Sequence, residues 1–126
     1  MQTDRMLEKA KSELMSAFGE RLRGVVLYGS QARGEAAEDS DLDLMVLLDG
    51  PVQLGEDLRR IVDALYPLQL EIERPIHALP VATASFEAGE YAICRDAKRE
   101  GVFLMNRQVI QAMRDTFPET LPDETS

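Results

Sequence analysis

Two carboxylates, Asp41 and Asp43, stand at the entrance to an apolar run, Leu44 to Leu48. On a strand, side chains two residues apart point to one face, so these two share it. Side by side they repel, and burying either without a partner is costly. A hard cation such as Mg²⁺ relieves the repulsion: it takes carboxylate oxygens at about 2.1 Å and leaves its other positions to water or phosphate oxygens. Ahead of the pair lies a small turn, Gly29-Ser30-Gln31-Ala32-Arg33-Gly34. Gly29 lets backbone approach a ligand closely, and Ser30 offers a hydroxyl and an N–H where a helix begins, which suits phosphate oxygens. A phosphate cradle beside a divalent-metal pair is the equipment for attack on a nucleotide phosphate.

Strands must hold these groups. Val25-Val26-Leu27-Tyr28 is apolar and rich in β-branched residues, and with Leu22 it predicts a first strand over 22–28. Leu42 to Leu48 predicts the second, closed by the turn residues Asp49-Gly50-Pro51. Between them, Glu35-Ala36-Ala37-Glu38 is a polar connector, and Asp39 and Ser40 cap the turn into the second strand. Asp39 is therefore not counted as a ligand.

GSxxRG followed by DSDLDL resembles the signature of the nucleotidyltransferase superfamily that includes DNA polymerase beta. More closely, it is similar to the minimal nucleotidyltransferases, the MNT antitoxins of HEPN/MNT toxin–antitoxin pairs. The resemblance covers roughly Phe18 to Met105, and its most specific part is Gly29 to Asp43. It implies a metal-dependent nucleotidyltransferase that moves AMP from ATP to a hydroxyl. Asp41 and Asp43 would hold Mg²⁺, two ions in all, while Gly29 and Ser30 would hold the triphosphate. Arg33 either grips the nucleotide phosphates or pairs with Glu35, Glu38 or Asp39. The larger superfamily members append a helical domain that completes the substrate cleft. No such domain follows here, so the resemblance implies a partner, a HEPN-type toxin with a tyrosine as acceptor. Two other readings stay open. One is a binding module that keeps the fold and neutralises its partner sterically. The other is a small-molecule transferase of the aminoglycoside-modifying kind.

In the family a third carboxylate, most often an aspartate, sits on a strand after the next helix and completes the metal site. This chain has no aspartate there. Leu54, Leu58, Ile61, Val62 and Leu65 predict a helix over 54–65, stopped by Pro67. Leu68, Leu70 and Ile72 then alternate with Gln69, Glu71 and Glu73, a half-buried strand pattern. Glu73 falls where the third ligand is expected, Glu71 has the better apolar flanks, and His77 shares their face if the alternation survives Pro75. Glu73 is taken as the third catalytic and metal residue, with Glu71 and His77 as alternatives. The other reading makes the glutamates the solvent face of an edge strand.

The remaining elements frame this site. Residues 4–18 read as an amphipathic helix on Leu7, Ala10, Leu14, Ala17 and Phe18. Thr83 to Glu87 reads as a cap and helical turn. Glu90 to Glu100 reads as a helix with Tyr91, Cys94 and Ala97 inward, and Val102 to Met105 as a final strand. Gln108 to Met113 reads as a terminal helix, and residues 117–126 as a disordered acidic tail beyond a domain of 1–116. The fold class is α/β (α+β): a small mixed sheet, helices mainly packed on one face, and the Gly29–Asp43 site at one sheet edge or end. The net charge of −9 argues against direct nucleic-acid binding, which needs a positive face. No apolar run is long enough to span a bilayer. The single cysteine, Cys94, forms no internal disulfide and suits a reducing cytoplasm.

Overall fold

The computed structural model describes residues 3–32, 34 and 40–106. Arg33, the expected helix at 108–113 and the acidic tail lie outside the described residues. Helix α1 (Thr3–Phe18) leads through a 3₁₀ turn (Gly19–Arg21) into strand β1 (Leu22–Tyr28). A single helical turn, α2 (Gly29–Ala32), follows, then β2 (Leu42–Leu48), helix α3 (Leu54–Glu71), β3 (Ile76–Ala82), short helices α4 (Thr83–Ala88) and α5 (Ala92–Glu100), and β4 (Val102–Asn106). The four strands form one mixed sheet in the order β3-β2-β1-β4. β1 runs antiparallel to both β2 and β4, and β2 runs parallel to β3. Both predicted central strands have the expected boundaries.

Strand alternation sorts the core into two layers. Val25, Leu27, Leu42, Leu44, Val46 and Leu48 face the long helices α1 and α3. Val26, Met45 and Leu47 face the short helices, where Phe86, Cys94 and Ala97 cover them. The larger layer is thus two long helices on one face, and the smaller a partial cover on the other. α1 turns Met6, Ala10, Leu14 and Phe18 inward, a four-residue spacing, with Leu7 and Ala17 half-buried beside them. In α5, Cys94 and Ala97 are buried as expected, but Tyr91 caps the helix with its ring exposed.

The region after Pro67 differs from its sequence pattern. α3 runs through Pro67 to Glu71, so Leu68–Ile72 is helix and its exit rather than strand. Ile61, Leu65 and Leu68 are buried at helical spacing, whereas Leu70 is 70% exposed. A proline inside a helix forfeits one backbone bond and costs roughly 3 kcal/mol. Pro67 faces outward, and Leu68 inward, where burial contributes about 2 kcal/mol. Gln69 offsets more of the cost. Its side-chain amide donates to the Arg74 carbonyl and accepts from the Ile76 N–H, each at 2.9 Å, so the helix carries its own clamp on the entry to β3.

One buried ion pair joins three elements. Arg21 donates from Nη1 and Nη2 to the two oxygens of Asp57, at 2.9 and 3.1 Å, and from Nη2 to the Pro51 carbonyl. Asp57 also accepts from the Gln53 N–H at 2.9 Å, satisfying an open donor at the start of α3. Its side chain is 5% exposed, and the Arg21 hydrogen bonds hold its pKa below the usual carboxylate value against the opposing effect of burial. The linkage stabilises the fold above the unfolded-state pKa, near 4, and is lost as pH falls through the depressed folded value. Asp57→Asn should therefore cost about 2 kcal/mol, under the usual range for broken buried pairs because Arg21 is a third exposed. It should also flatten the acid limb of the stability profile, measured by urea melts from pH 3 to 7. An unchanged acid limb would show that the pair does not govern it.

Candidate functional site

The site is a row across three strands. Tyr28 of β1 pairs with Asp43 of β2, and Asp43 pairs with His77 of β3. Residues in register point to the same face, here the face of Met45, Leu47 and Val81. The apolar cover ends at Met45, and Asp43 and Asp41 continue the line beyond it. The carboxylates thus sit where an apolar strand emerges from beneath α4 and α5.

Gly29 stands against this row. Its φ is +75°, a left-handed value that glycine adopts without penalty. A Cβ added there would lie 2.5 Å from Asp43 Oδ2. The glycine is therefore required twice, for the backbone turn and for room beside a carboxylate. Ser30 lies in α2, directly after this contact.

Electrostatics follow from the placement. Burial pushes the Asp43 pKa up; His77 opposes that shift and Asp41 adds to it. Burial, then the Asp43 charge, raise the Tyr28 pKa as well. Asp41 is more exposed and accepts a 2.9 Å hydrogen bond from His77 Nε2. Asp43 carries a charge that its surroundings resist, which is the state a bound cation relieves. The donor set fits a divalent cation in type and face. Among the described residues, though, no three His, Cys, Asp and Glu side chains are already gathered as a metal cluster.

The two glutamates stand apart from the row. Glu71 ends α3 and pairs with Lys9 of α1 at 2.9 Å. Glu73 is exposed in the bend between α3 and β3, ahead of the first β3 residue, Ile76. Neither occupies the strand position facing Asp43; His77 does, because β3 begins only at Ile76 and leaves both glutamates ahead of it. Arg74 is a further participant that sequence pattern did not single out. It is 6% exposed, and its Nε donates to the Ser40 carbonyl at 2.8 Å, fixing the residue before Asp41. Its Nη1 reaches Thr3 Oγ1 at 3.3 Å. The Glu-Arg-Pro sequence gave no periodic signal for this; only the close return of the bend to Ser40 makes it visible.

Comparisons with known proteins bear on this geometry. Residues 7–104 match the family model described as a nucleotidyltransferase domain. The protein adenylyltransferase MntA of Thermococcus cleftensis is 38% identical over 69 residues, 53% of this chain and 68% of that protein. A relative from Methanocaldococcus jannaschii is 46% identical over 44 residues, 35% of this chain, and the match spans only 27% of that protein's length. Among solved structures, a toxin–antitoxin complex with AMP-PNP superposes with a TM-score of 0.60 at 16% identity, covering 90% of this chain and 95% of that one. The complex of tri-AMPylated Shewanella oneidensis HEPN toxin with MNT antitoxin gives 0.57 at 16% identity, covering 94% and 97%. At these identities the structural matches establish the fold.

Asp43→Asn removes a charge that burial and Asp41 oppose, so the unliganded protein should melt at the same temperature or slightly higher. A divalent cation with ATP should raise the parent's melting temperature by mass action and the variant's far less. Equal shifts at fixed ionic strength would sink the metal site.

Proposed function

The chain belongs to the nucleotidyltransferase domain family, and from that premise we propose that it transfers AMP from ATP to a hydroxyl of a partner protein. The partner is a HEPN-type toxin, the acceptor a tyrosine, and the outcome neutralisation. The observation that carries the reading is the Asp41/Asp43 pair on one strand face, with the Gly29 backbone closed against Asp43. The relative named a protein adenylyltransferase supports the reaction type. The toxin–antitoxin complexes of like fold support the partner.

In this reading Gly29 and Ser30 hold the triphosphate through their backbone N–H groups, while the missing Gly29 Cβ leaves room for Asp43 beside it. Asp41 and Asp43 hold the cation, which Arg74 assists by fixing the Ser40 backbone. A bound divalent cation, Mg²⁺ in the family, supplies charge neutralisation at the α-phosphate and at departing pyrophosphate. The acceptor oxygen attacks the α-phosphorus, its bond to the β-phosphate bridge breaks, and the hydroxyl proton leaves to solvent or base. Arg33 remains a candidate phosphate contact.

A surface suited to a partner lies on the other side of the sheet from the carboxylates, along α3. Leu54, Leu58, Val62, Tyr66 and Leu70 recur every four residues along α3 and are all exposed. They form one inclined ridge, the element that helices use to pack on helices. Beside it, Val62 and Tyr66 form a shallow groove with Ile76 and Ala78 of β3. Apolar surface of this extent is what a second protein covers.

Two experiments test the proposal. With Mg²⁺ and labelled ATP, a co-expressed HEPN partner should gain AMP on a hydroxyl, read by intact mass, and Ser30→Ala should slow the transfer. A second reading, neutralisation by binding alone, is favoured by the lack of a carboxylate opposite Asp43; stable neutralisation with no mass shift under any nucleotide or metal would select it. Independently, Val62→Glu with Tyr66→Ser should leave the fold intact, since both side chains are exposed, and abolish co-elution with the partner. Unchanged co-elution would place the interface elsewhere.

A further inference from the structure

The residue facing Asp43 from the neighbouring strand is a histidine, not a carboxylate. We infer that His77 is the third protein ligand of the Asp41/Asp43 site, and that it turns the site's preference from Mg²⁺ toward first-row transition cations such as Mn²⁺. This rests on the nucleotidyl-transfer reading and specifies its metal.

Three observations converge. The parallel pairing of β2 and β3 sets His77 beside Asp43 with both side chains on the site face. His77 Nε2 lies 2.9 Å from Asp41 Oδ2. Adjacent ligands of a six-coordinate cation, each at roughly 2.1 Å, stand about 3 Å apart, so this separation suits two neighbours in one coordination shell. A cation bound by both would replace the proton that now joins them. The other candidates are committed elsewhere: Glu71 to Lys9, and Glu73 to the bend outside the strand.

The side chains can complete the shell without disturbing the core. Those of His77 and Asp41 are 60% and 52% exposed, so drawing them toward Asp43 costs rotamer freedom rather than packing. Asp43 is anchored on the central strand between β1 and β3 and supplies the fixed point. The chemistry then selects the metal. Mg²⁺ takes oxygen donors and sheds water reluctantly. An imidazole nitrogen is a better donor to first-row transition ions, and it removes one negative charge that a third carboxylate would have given a hard cation.

His77 is the chain's only histidine, which makes a direct test possible. Mn²⁺ is titrated into the full chain with a non-hydrolysable ATP analogue, and pulsed EPR reads coupling to a directly bound imidazole nitrogen. The parent should show that coupling and His77→Ala should not. Mn²⁺ affinity should fall about tenfold in His77→Ala while Mg²⁺ affinity changes by less than about twofold. His77→Asp should shift the preference back toward Mg²⁺. Thermal melts confirm that the variants fold. Mn²⁺ binding that needs Asp43 but shows no imidazole coupling would overturn this inference and leave the nucleotidyl-transfer reading standing. No binding of either cation, with Asp43→Asn unchanged from the parent, would overturn both.

Discussion

A carboxylate on the central strand of a mostly apolar sheet is the constraint around which this structure is arranged. Asp43 sits between β1 and β3, in line with buried Met45 and Leu47. Burial opposes its charge, and the neighbouring Asp41 adds to the opposition. Such a group persists in a fold when something else uses it. The chain spends a glycine with positive φ to give its oxygen room, places an imidazole opposite it, and ends the apolar cover one strand position before it. Each arrangement keeps the carboxylate reachable from solvent.

The two faces of the sheet divide the work. On the larger one, α1 and α3 bury a continuous apolar layer, and the Arg21–Asp57 pair ties the start of β1 to the start of α3. That face holds the larger buried cluster. On the other, α4 and α5 cover only the strand segments away from the site, through Phe86, Cys94 and Ala97. Thr83 anchors this thinner cover by donating to the Leu48 carbonyl at 3.0 Å. A fuller cover would have buried Asp43 completely, so the small second layer and the open site are one feature.

Sequence pattern located the Gly29 turn, Asp41 and Asp43, because their chemistry is local: a turn glycine, a strand period of two, and apolar runs with clear ends. It also located β1, β2, α1, α5 and β4 from their apolar pattern, and α4 from its cap. It mistook the segment after Pro67 because Leu68, Leu70 and Ile72 fit a helix as well as a strand, and the proline tipped the choice. Burial of Leu68 and the Gln69 clamp, both tertiary effects, decided it otherwise. That displacement moved the strand start to Ile76 and with it the identity of the residue facing Asp43. A third ligand on a neighbouring strand depends on register, which no single strand's sequence encodes. Arg74 was invisible for the same reason, since its partners Ser40 and Thr3 are distant in the chain.

The edge beside the site constrains how a partner can approach. β3 is an edge strand, and open edges invite pairing with a strand from another chain. Here Pro80 stands within β3, opposite Val46, and Pro75 lies just before it. Pro80 lacks the N–H that an added strand would need, and the Ile76 N–H is already donated to Gln69 Oε1. The backbone edge is thus poorly suited to strand addition, while the side chains next to it are well suited to packing. Leu54, Leu58, Val62, Tyr66 and Leu70 lie exposed along the adjacent helix, and Ile76 and Ala78 continue the apolar surface onto the strand. The flank thus suits a helix laid against α3 better than it suits an extended peptide.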